Sequence, residues 1–438
     1  WNRRSRVGDD HLVMRIAIIG GGASGTLVAA NLLRSTDRTI DVVVYDEREA
    51  LGRGVAYSTT DPNHLLNVRA KQMSAIVGDP DHFLRFAACG RDDFAPRATY
   101  GDYLATVLAE ARTSTVANFR HVRAHVTSIE RGAEGWSVRS SDGNSTTADV
   151  VVLATGNPPP GVPAWASAVE GSHRFIADPW EGGALRRITS GHVLAIGTGL
   201  TFVDVAISVA AHPDVTVTGI SRHGLLPTPH THVEHPPPLP ELHTPRDVLH
   251  WLRSQRHQWR EAVNGLRTIT QELWRGFDDA QKRQFLRHAH RYWEIHRHRI
   301  AEPVAHRIEE LRTSGRLTVR SAKVLEVRET VDGFDVVTAT GTLHADWLVA
   351  CTGPSEAAML ADEPIAGLIR TGAARPGPLD IGLDVHATTG ALLDANGAIV
   401  RGSYAIGPLR RGVLWESTAI PEIHVQAHDL AGEILTRN

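Results

Sequence analysis

The sequence predicts an α/β protein made of two Rossmann-like dinucleotide-binding domains, one inserted into the other, with a helical insertion in the inserted domain. Three observations carry this expectation. A complete glycine-rich turn joins a strand to a helix near the start of the chain. A second, altered turn of the same kind follows at residues 197–201. Two apolar strands that end in similar small-residue turns, at residues 150–156 and 347–353, mark where the chain leaves the first domain and where it returns.

The first turn is Gly20-Gly21-Gly22-Ala23-Ser24-Gly25, placed between the apolar strand Arg15-Ile16-Ala17-Ile18-Ile19 and a helix that begins around it. In a G-x-G-x-x-G turn the first glycine permits the tight bend, here Gly20. The second, Gly22, lets backbone approach a pyrophosphate, and the third, Gly25, lets the helix pack on the strand. Ala23 and Ser24 then lie at the helix N-terminus, whose free N–H groups and positive dipole end favour phosphate. The next strand, Val42-Val43-Val44-Tyr45-Asp46, ends in an acid about 20 residues on, the position that accepts the ribose hydroxyls of a dinucleotide.

The second turn departs from that pattern. Gly197-Thr198-Gly199-Leu200-Thr201 follows the strand His192-Val193-Leu194-Ala195-Ile196, but Phe202 stands where the third glycine belongs, which predicts looser helix–strand packing. Gly197, Gly199 and Thr201 are the expected pyrophosphate contacts. No acid ends the following strand; the chain reads Ser221-Arg222-His223. An acid would repel a 2′-phosphate, whereas Ser221 and Arg222 can bind one, so NADPH is expected ahead of NADH. Two dinucleotide sites on one chain imply FAD in the first domain, reduced by NAD(P)H held in the second.

Composition narrows the class. With 438 residues the chain has room for two or three domains, and a net charge of −3 gives no reason to expect a nucleic-acid or membrane partner. Three lysines against 43 arginines read as coding bias. Cys89 and Cys351 form no C-x-x-C, which argues against dithiol–disulfide chemistry and against an oxidising compartment. The absence of a membrane-length apolar run and of a signal peptide points to a cytoplasmic protein. Self-association is left open.

Residues 1–13 read as a disordered extension, residues 14–157 as the first part of the FAD domain, 158–345 as the NAD(P) domain and 346–438 as the second part of the FAD domain. The insertion is expected over about 225–312. It opens with a loop of seven prolines and four histidines, continues as helices, and is assigned to substrate capture and solvent exclusion. His230, His232 and His235 in that loop, and His288 and His290 beyond it, lack the carboxylate or cysteine partners of a zinc site, so no metal is expected.

Several segments extend the reading. Gly52-Arg53-Gly54-Val55-Ala56-Tyr57-Ser58, His64-Leu65-Leu66-Asn67-Val68 and Met73-Ser74 follow the second strand. Pro96-Arg97 precedes Tyr100-Gly101-Asp102-Tyr103-Leu104. Further on come Trp293-Glu294-Ile295-His296-Arg297-His298-Arg299 and Leu414-Trp415-Glu416-Ser417-Thr418-Ala419-Ile420-Pro421-Glu422-Ile423. Together these resemble a group of bacterial FAD/NAD(P)-binding proteins that includes FAD-dependent urate hydroxylases and aspartate N-monooxygenases. The resemblance implies a single-component flavin monooxygenase taking dioxygen and a small polar substrate, with urate-type hydroxylation the first guess and amino-acid N-hydroxylation the second. The Phe-x-Gly-x-x-x-His-x-x-x-Trp pattern of Baeyer–Villiger enzymes is absent. An NAD(P)H oxidase, an electron-transfer flavoprotein or a flavin-bearing redox sensor are the other classes the sequence allows.

Residue roles follow as expectations. Tyr57, Asn67, Met73 and Ser74 are placed along the isoalloxazine ring. Pro421 fits only the first turn of a helix, so the unpaired N–H groups of Ser417, Thr418 and their neighbours are expected at the flavin pyrimidine edge, with Gly407 allowing close approach. His296 and Arg299 share a helix face; Arg299 is expected either to hold an anionic substrate, urate or a carboxylate, or to knit the helix to a domain interface, and His296 to accept a proton. Arg297 and His298 are expected to knit the helix to a domain interface.

Overall fold

The computed structural model describes residues 13–437 apart from 134, 159, 162 and 232–234; residues 1–12 of the expected extension at 1–13 and His232 lie outside them. Two sheets dominate. The six-stranded sheet runs, in spatial order, Ala391–Leu393, Ile399–Ala405, Val150–Leu153, Met14–Ile19, Ile40–Tyr45 and Asn118–Val122; all pairings are parallel except that of the first strand. The five-stranded sheet is wholly parallel: Leu317–Ser321, Val215–Ser221, Gly191–Ile196, Trp347–Ala350 and Phe175–Ile176. The first sheet therefore draws on both ends of the chain and the second on its middle.

Continuous apolar runs form these strands because both faces of each sheet are covered. In the first sheet Ile16, Ile18, Val150 and Val152 enter one core, while Ala17, Ile19, Val151 and Leu153 enter another. Likewise Val193 and Ala195 point to one side of the second sheet and Leu194 and Ile196 to the other. Side chains alternate across a strand, so one run of apolar residues feeds two layers.

The two units repeat each other in detail. Each has a three-stranded antiparallel meander, Val126–Gly132, Gly135–Ser140 and Ser145–Ala148 in the first, and Val324–Glu329, Phe334–Thr338 and Gly341–Ala345 in the second. Each meander leads through an aspartate into a central strand. Asp149 Oδ2 accepts from Arg15 N at 2.7 Å, and Asp346 Oδ2 accepts from His192 N at 2.5 Å. The strand Trp347–Ala350 closes the second sheet, so the return to the first unit begins after residue 350 rather than at 346. There the two connections meet, with Pro160 bridged to Pro354.

The insertion is helical, with Pro245–Ser254, Trp259–Arg267, Thr270–Gly276, Asp279–His288 and His290–Arg297. Two of these helices begin with reciprocal caps, Thr244 with Asp247 and Asp278 with Gln281. The expected end at 312 is too late. Glu302–Thr313 packs Val304, Ile308 and Leu311 into the core of the second unit beside Phe202 and Val203, so it is the crossover helix feeding Leu317–Ser321. No described helix is long and apolar enough to cross a membrane.

A buried polar joint connects the units. Arg97 pairs with Asp204 at 2.8 Å, and the His64 ring bonds Ser208 Oγ at 2.8 Å and Thr59 Oγ1 at 2.7 Å. Burial raises the Asp204 carboxyl above its usual range, and the Arg97 charge opposes that rise.

Candidate functional site

At the first turn Gly20 has φ +103°, and a Cβ there would lie 2.4 Å from Ala154 O. A Cβ on Gly25 would lie 1.9 Å from Gly20 O. Gly22 caps the helix Ala23–Ser35, and what a side chain there would approach is Gly54 Cα at 3.5 Å, itself without a side chain. The buried Asp46 carboxylate accepts from Gly21 N at 2.8 Å and Arg48 N at 2.9 Å, which fixes it at the mouth of the turn.

Distant segments converge beside that turn. Gly407 has φ +73°; a Cβ there would lie 2.8 Å from Ser24 Oγ and 4.0 Å from Ser417 O. Ser417 is fully buried, and its hydroxyl has no hydrogen-bond partner among the described residues. Thr418 is exposed, and the final helix spans Ile420–Arg437 with Pro421 in its first turn. Ser24, Gly407 and Ser417 thus come together at the N-terminus of the first helix.

Not every expected flavin contact lies open. Met73 is 1% exposed and packs in the core of the first unit, so it has no free face for a ring. Ser74 is buried, with its hydroxyl donating to Asp79 O at 2.6 Å. Asn67 is half-buried, and its carbonyl engages His230 Nε2 at 3.0 Å. Tyr57 is half-buried against Tyr100, ring centroids 4.8 Å apart.

At the second turn Gly197 has φ +109°, and a Cβ there would meet Cys351 O at 2.0 Å. Gly199 caps the helix Leu200–Val209, which places Thr201 in its first turn. The expected loosening at Phe202 does not occur. Its ring is fully buried, and Gly219 on the neighbouring strand makes the room: a Cβ there would come within 2.5 Å of the ring. Ser221 Oγ bonds Thr198 Oγ1 at 2.8 Å and accepts from Gly224 N at 3.0 Å, and Arg222 is exposed beside it. A second cation went unseen in the sequence. Arg291, from the insertion, donates to Leu225 O at 2.7 Å and Thr198 O at 3.2 Å and approaches Gly199. No local pattern marks it, because only the fold brings residue 291 to residue 198.

The insertion docks on the C-terminal segment through charge. Arg297 clamps Glu416 at 3.1 and 2.8 Å and reaches Glu422 at 3.5 Å; Arg267 pairs with Glu422 at 3.3 Å. His298 and His290 flank the Glu294 carboxyl and, against burial, hold it well below its ordinary range. Arg299 is 3% exposed and donates to His296 O at 2.8 Å and Arg260 O at 3.2 Å; burial, followed by Arg260, lowers its pKa to about 10. Burial, followed by Arg299 and Arg260, lowers the pKa of His296. Among the described residues no three His, Cys, Asp or Glu side chains are grouped to hold a metal ion.

Two glycine-rich turns, each at the end of a central parallel strand, define a protein with two dinucleotide-binding domains. Residues 17–158 match a family described as FAD-NAD(P)-binding. The uncharacterized protein YdhS of Escherichia coli (strain K12) is 22% identical over 253 residues, which are 49% of this chain and 46% of that protein, less than half its length. In fold, the chain is similar to an ornithine hydroxylase of Pseudomonas aeruginosa, with TM-score 0.62 and 16% identity, covering 97% of this chain and 99% of that one. A bacillithiol disulfide reductase of Staphylococcus aureus gives TM-score 0.59 at 12% identity, with the same coverage of both chains. The architecture is that of flavin-dependent monooxygenases and reductases, and the fold alone does not choose between them.

Proposed function

We propose that this protein is an NAD(P)H-dependent FAD monooxygenase acting on a small polar substrate, with amino-group or urate-type hydroxylation as its chemistry. The observation that carries the cofactor assignment is the meeting of Ser24, Gly407 and the Ser417 main chain at the first turn, with the Ser417 hydroxyl buried and without a partner among the described residues. A buried hydroxyl without a partner is costly, and a dinucleotide in the groove would supply one. Gly22 and the amides of Ala23 and Ser24 would face its pyrophosphate, and Asp46 its ribose. Bound FAD supplies hydride acceptance from NAD(P)H and, once reduced, activation of dioxygen.

The remaining chemistry falls to the chain. Gly197, Gly199 and Thr201 would carry the second nucleotide, with Ser221, Arg222 and Arg291 beside its phosphates. His296 would serve as the proton acceptor. Two observations favour oxygenation over thiol–disulfide chemistry. Cys89 and Cys351 lie in different units, and burial pushes both thiols up, which keeps them from the reactive thiolate form. The test is NADPH oxidation under labelled dioxygen in the presence of candidate amino acids and purines. Label in the organic product supports the reading. Substrate-independent peroxide release at the same rate identifies an oxidase instead, and a protein that takes up no FAD removes the proposal altogether.

A further inference from the structure

The insertion gathers more positive charge at one place than its carboxylates neutralise. Arg260, Arg267, Arg297 and Arg299 lie close together: burial first, then the charges of Arg260, Arg297 and Arg267, lowers the pKa of Arg299, and burial followed by Arg297 lowers that of Arg267. Glu416 and Glu422 pair with Arg297 and Arg267. Among the described residues neither Arg260 nor Arg299 forms a close ion pair with a carboxylate; Glu261 acts on Arg299 only from further off, and the hydrogen bonds of the Arg299 guanidinium go to two main-chain carbonyls. A buried cation left without a counter-charge is expensive.

Two buried donor-capable atoms in this cluster, Arg260 Nε and His296 Nδ1, have no partner among the described residues, and neither has the buried indole Nε1 of Trp293, one turn before His296 on the same helix. Trp259 forms a wall. Its ring centroid lies 4.4 Å from the Arg260 guanidinium, 5.8 Å from that of Arg299 and 4.3 Å from the His296 ring. The Arg260 fork and the Arg299 charge beside an aromatic face have one natural complement, a planar oxyanion held by charge-assisted hydrogen bonds. The Arg297–Glu416 clamp, next to Ser417, keeps this cluster beside the segment assigned to the flavin.

We propose that Arg260 and Arg299, together with Trp293 and His296, bind a carboxylate of the substrate, which makes that substrate a small carboxylic acid. This rests on the flavoprotein reading above and narrows it. The two guanidiniums neutralise the carboxylate, the indole N–H orients it, and Trp259 covers the apolar part of the molecule.

The experiment titrates the purified protein, incubated with FAD, with malonate, acetate and sulfate while tryptophan fluorescence and flavin absorbance are followed. Malonate and acetate are expected to give saturable fluorescence changes that Trp259→Phe largely removes. Arg260→Ala is expected to weaken malonate at least tenfold while FAD content stays at the wild-type level. Arg260→Lys, which keeps charge but not the fork, is expected to fall between. Since Arg299 is buried and its truncation threatens the fold, Arg299→Lys tests that side, with a loss of several-fold expected in a variant whose thermal transition matches wild type. No saturable response, or equal affinity in Arg260→Ala, overturns the site. Sulfate binding as tightly as acetate overturns the planar-carboxylate assignment. Loss of FAD from Arg260→Ala shows that these cations serve the flavin, which also overturns it. Failure of the flavoprotein reading looks different: wild-type protein without FAD that still binds malonate.

Discussion

The two glycine-rich turns occupy equivalent places and solve the same packing problem differently. Gly20 N donates to Tyr45 O and Gly197 N to Ile220 O, so Gly21 corresponds to Thr198 and Asp46 to Ser221. In the first unit the main-chain N–H of Gly21 binds the Asp46 carboxylate; in the second the hydroxyl of Thr198 binds that of Ser221. A fixed negative charge at one mouth is replaced by a neutral hydroxyl at the other, with Arg222 and Arg291 beside it. The third glycine differs as well. Gly25 is indispensable because a carbonyl lies beneath it, whereas Phe202 fills the equivalent place because Gly219 gives way on the next strand. The lesson is that a fingerprint glycine is a statement about available space, and the space can be provided by the partner strand.

The largest expected effect tests that statement. Gly25→Ala puts a methyl group 1.9 Å from Gly20 O, so the helix and strand must separate. Destabilisation of about 3 kcal/mol or more, with loss of FAD, is expected in urea denaturation and flavin release. Retention of both would mean that the first turn is as tolerant as the second. Gly219→Ala is the matching experiment in the second unit. Its methyl group meets the end of the Phe202 ring, and a loss of about 1–3 kcal/mol is expected. Combination with Phe202→Leu should recover part of it, since the two positions share one space. Simple additivity would break the proposed exchange.

The Arg97–Asp204 joint is a lever of similar size, and it asks whether the two units stand together by charge. Arg97→Ala leaves a buried carboxylate unpaired, worth about 3 kcal/mol. The raised Asp204 pKa gives the sign. Because the folded state favours the protonated acid, its contribution is fully present below the ordinary value of 3.8 and is lost as pH rises through the elevated folded value. The variant's deficit should therefore be greatest near neutrality and shrink on acidification. A deficit independent of pH would assign the effect to lost packing on Trp180, whose ring lies 5.8 Å from the Arg97 guanidinium.

Much of the first unit was legible in the sequence because its determinants are local: an apolar strand, three glycines and an acid at fixed spacing. The inserted arrangement was legible too, since the strand Val150–Leu153 and its counterpart Trp347–Ala350 carry the same apolar signature. What was misplaced depended on tertiary choices. Met73 looks like a loop residue beside a cofactor until the fold seals it in a core. The helix Glu302–Thr313 has the same periodicity as the insertion helices, and only its packing on the second sheet assigns it elsewhere. Arg260 and Arg291 carried no signal at all in a chain where arginine is the common cation; only the fold brings Arg260 beside Arg299 and Arg291 beside Thr198.

The smallest effect concerns the charge at the second mouth, where Arg222 and Arg291 are separable. Arg291 is half-buried and tied to Thr198 and Leu225, so its removal alters the shape of the turn as well as its charge. Arg222 is exposed beside Ser221. Arg222→Ala is therefore expected to raise the KM for NADPH roughly tenfold, about 1.4 kcal/mol, with NADH kinetics and kcat barely changed, because only NADPH carries the phosphate. Arg291→Ala should weaken both nucleotides together. Steady-state flavin reduction with each nucleotide decides between the two roles. Equal losses for NADPH and NADH in Arg222→Ala would make that arginine a general electrostatic aid, and the neutral hydroxyl at Ser221 would then carry the NADPH preference by itself, simply by not being the aspartate that its counterpart is.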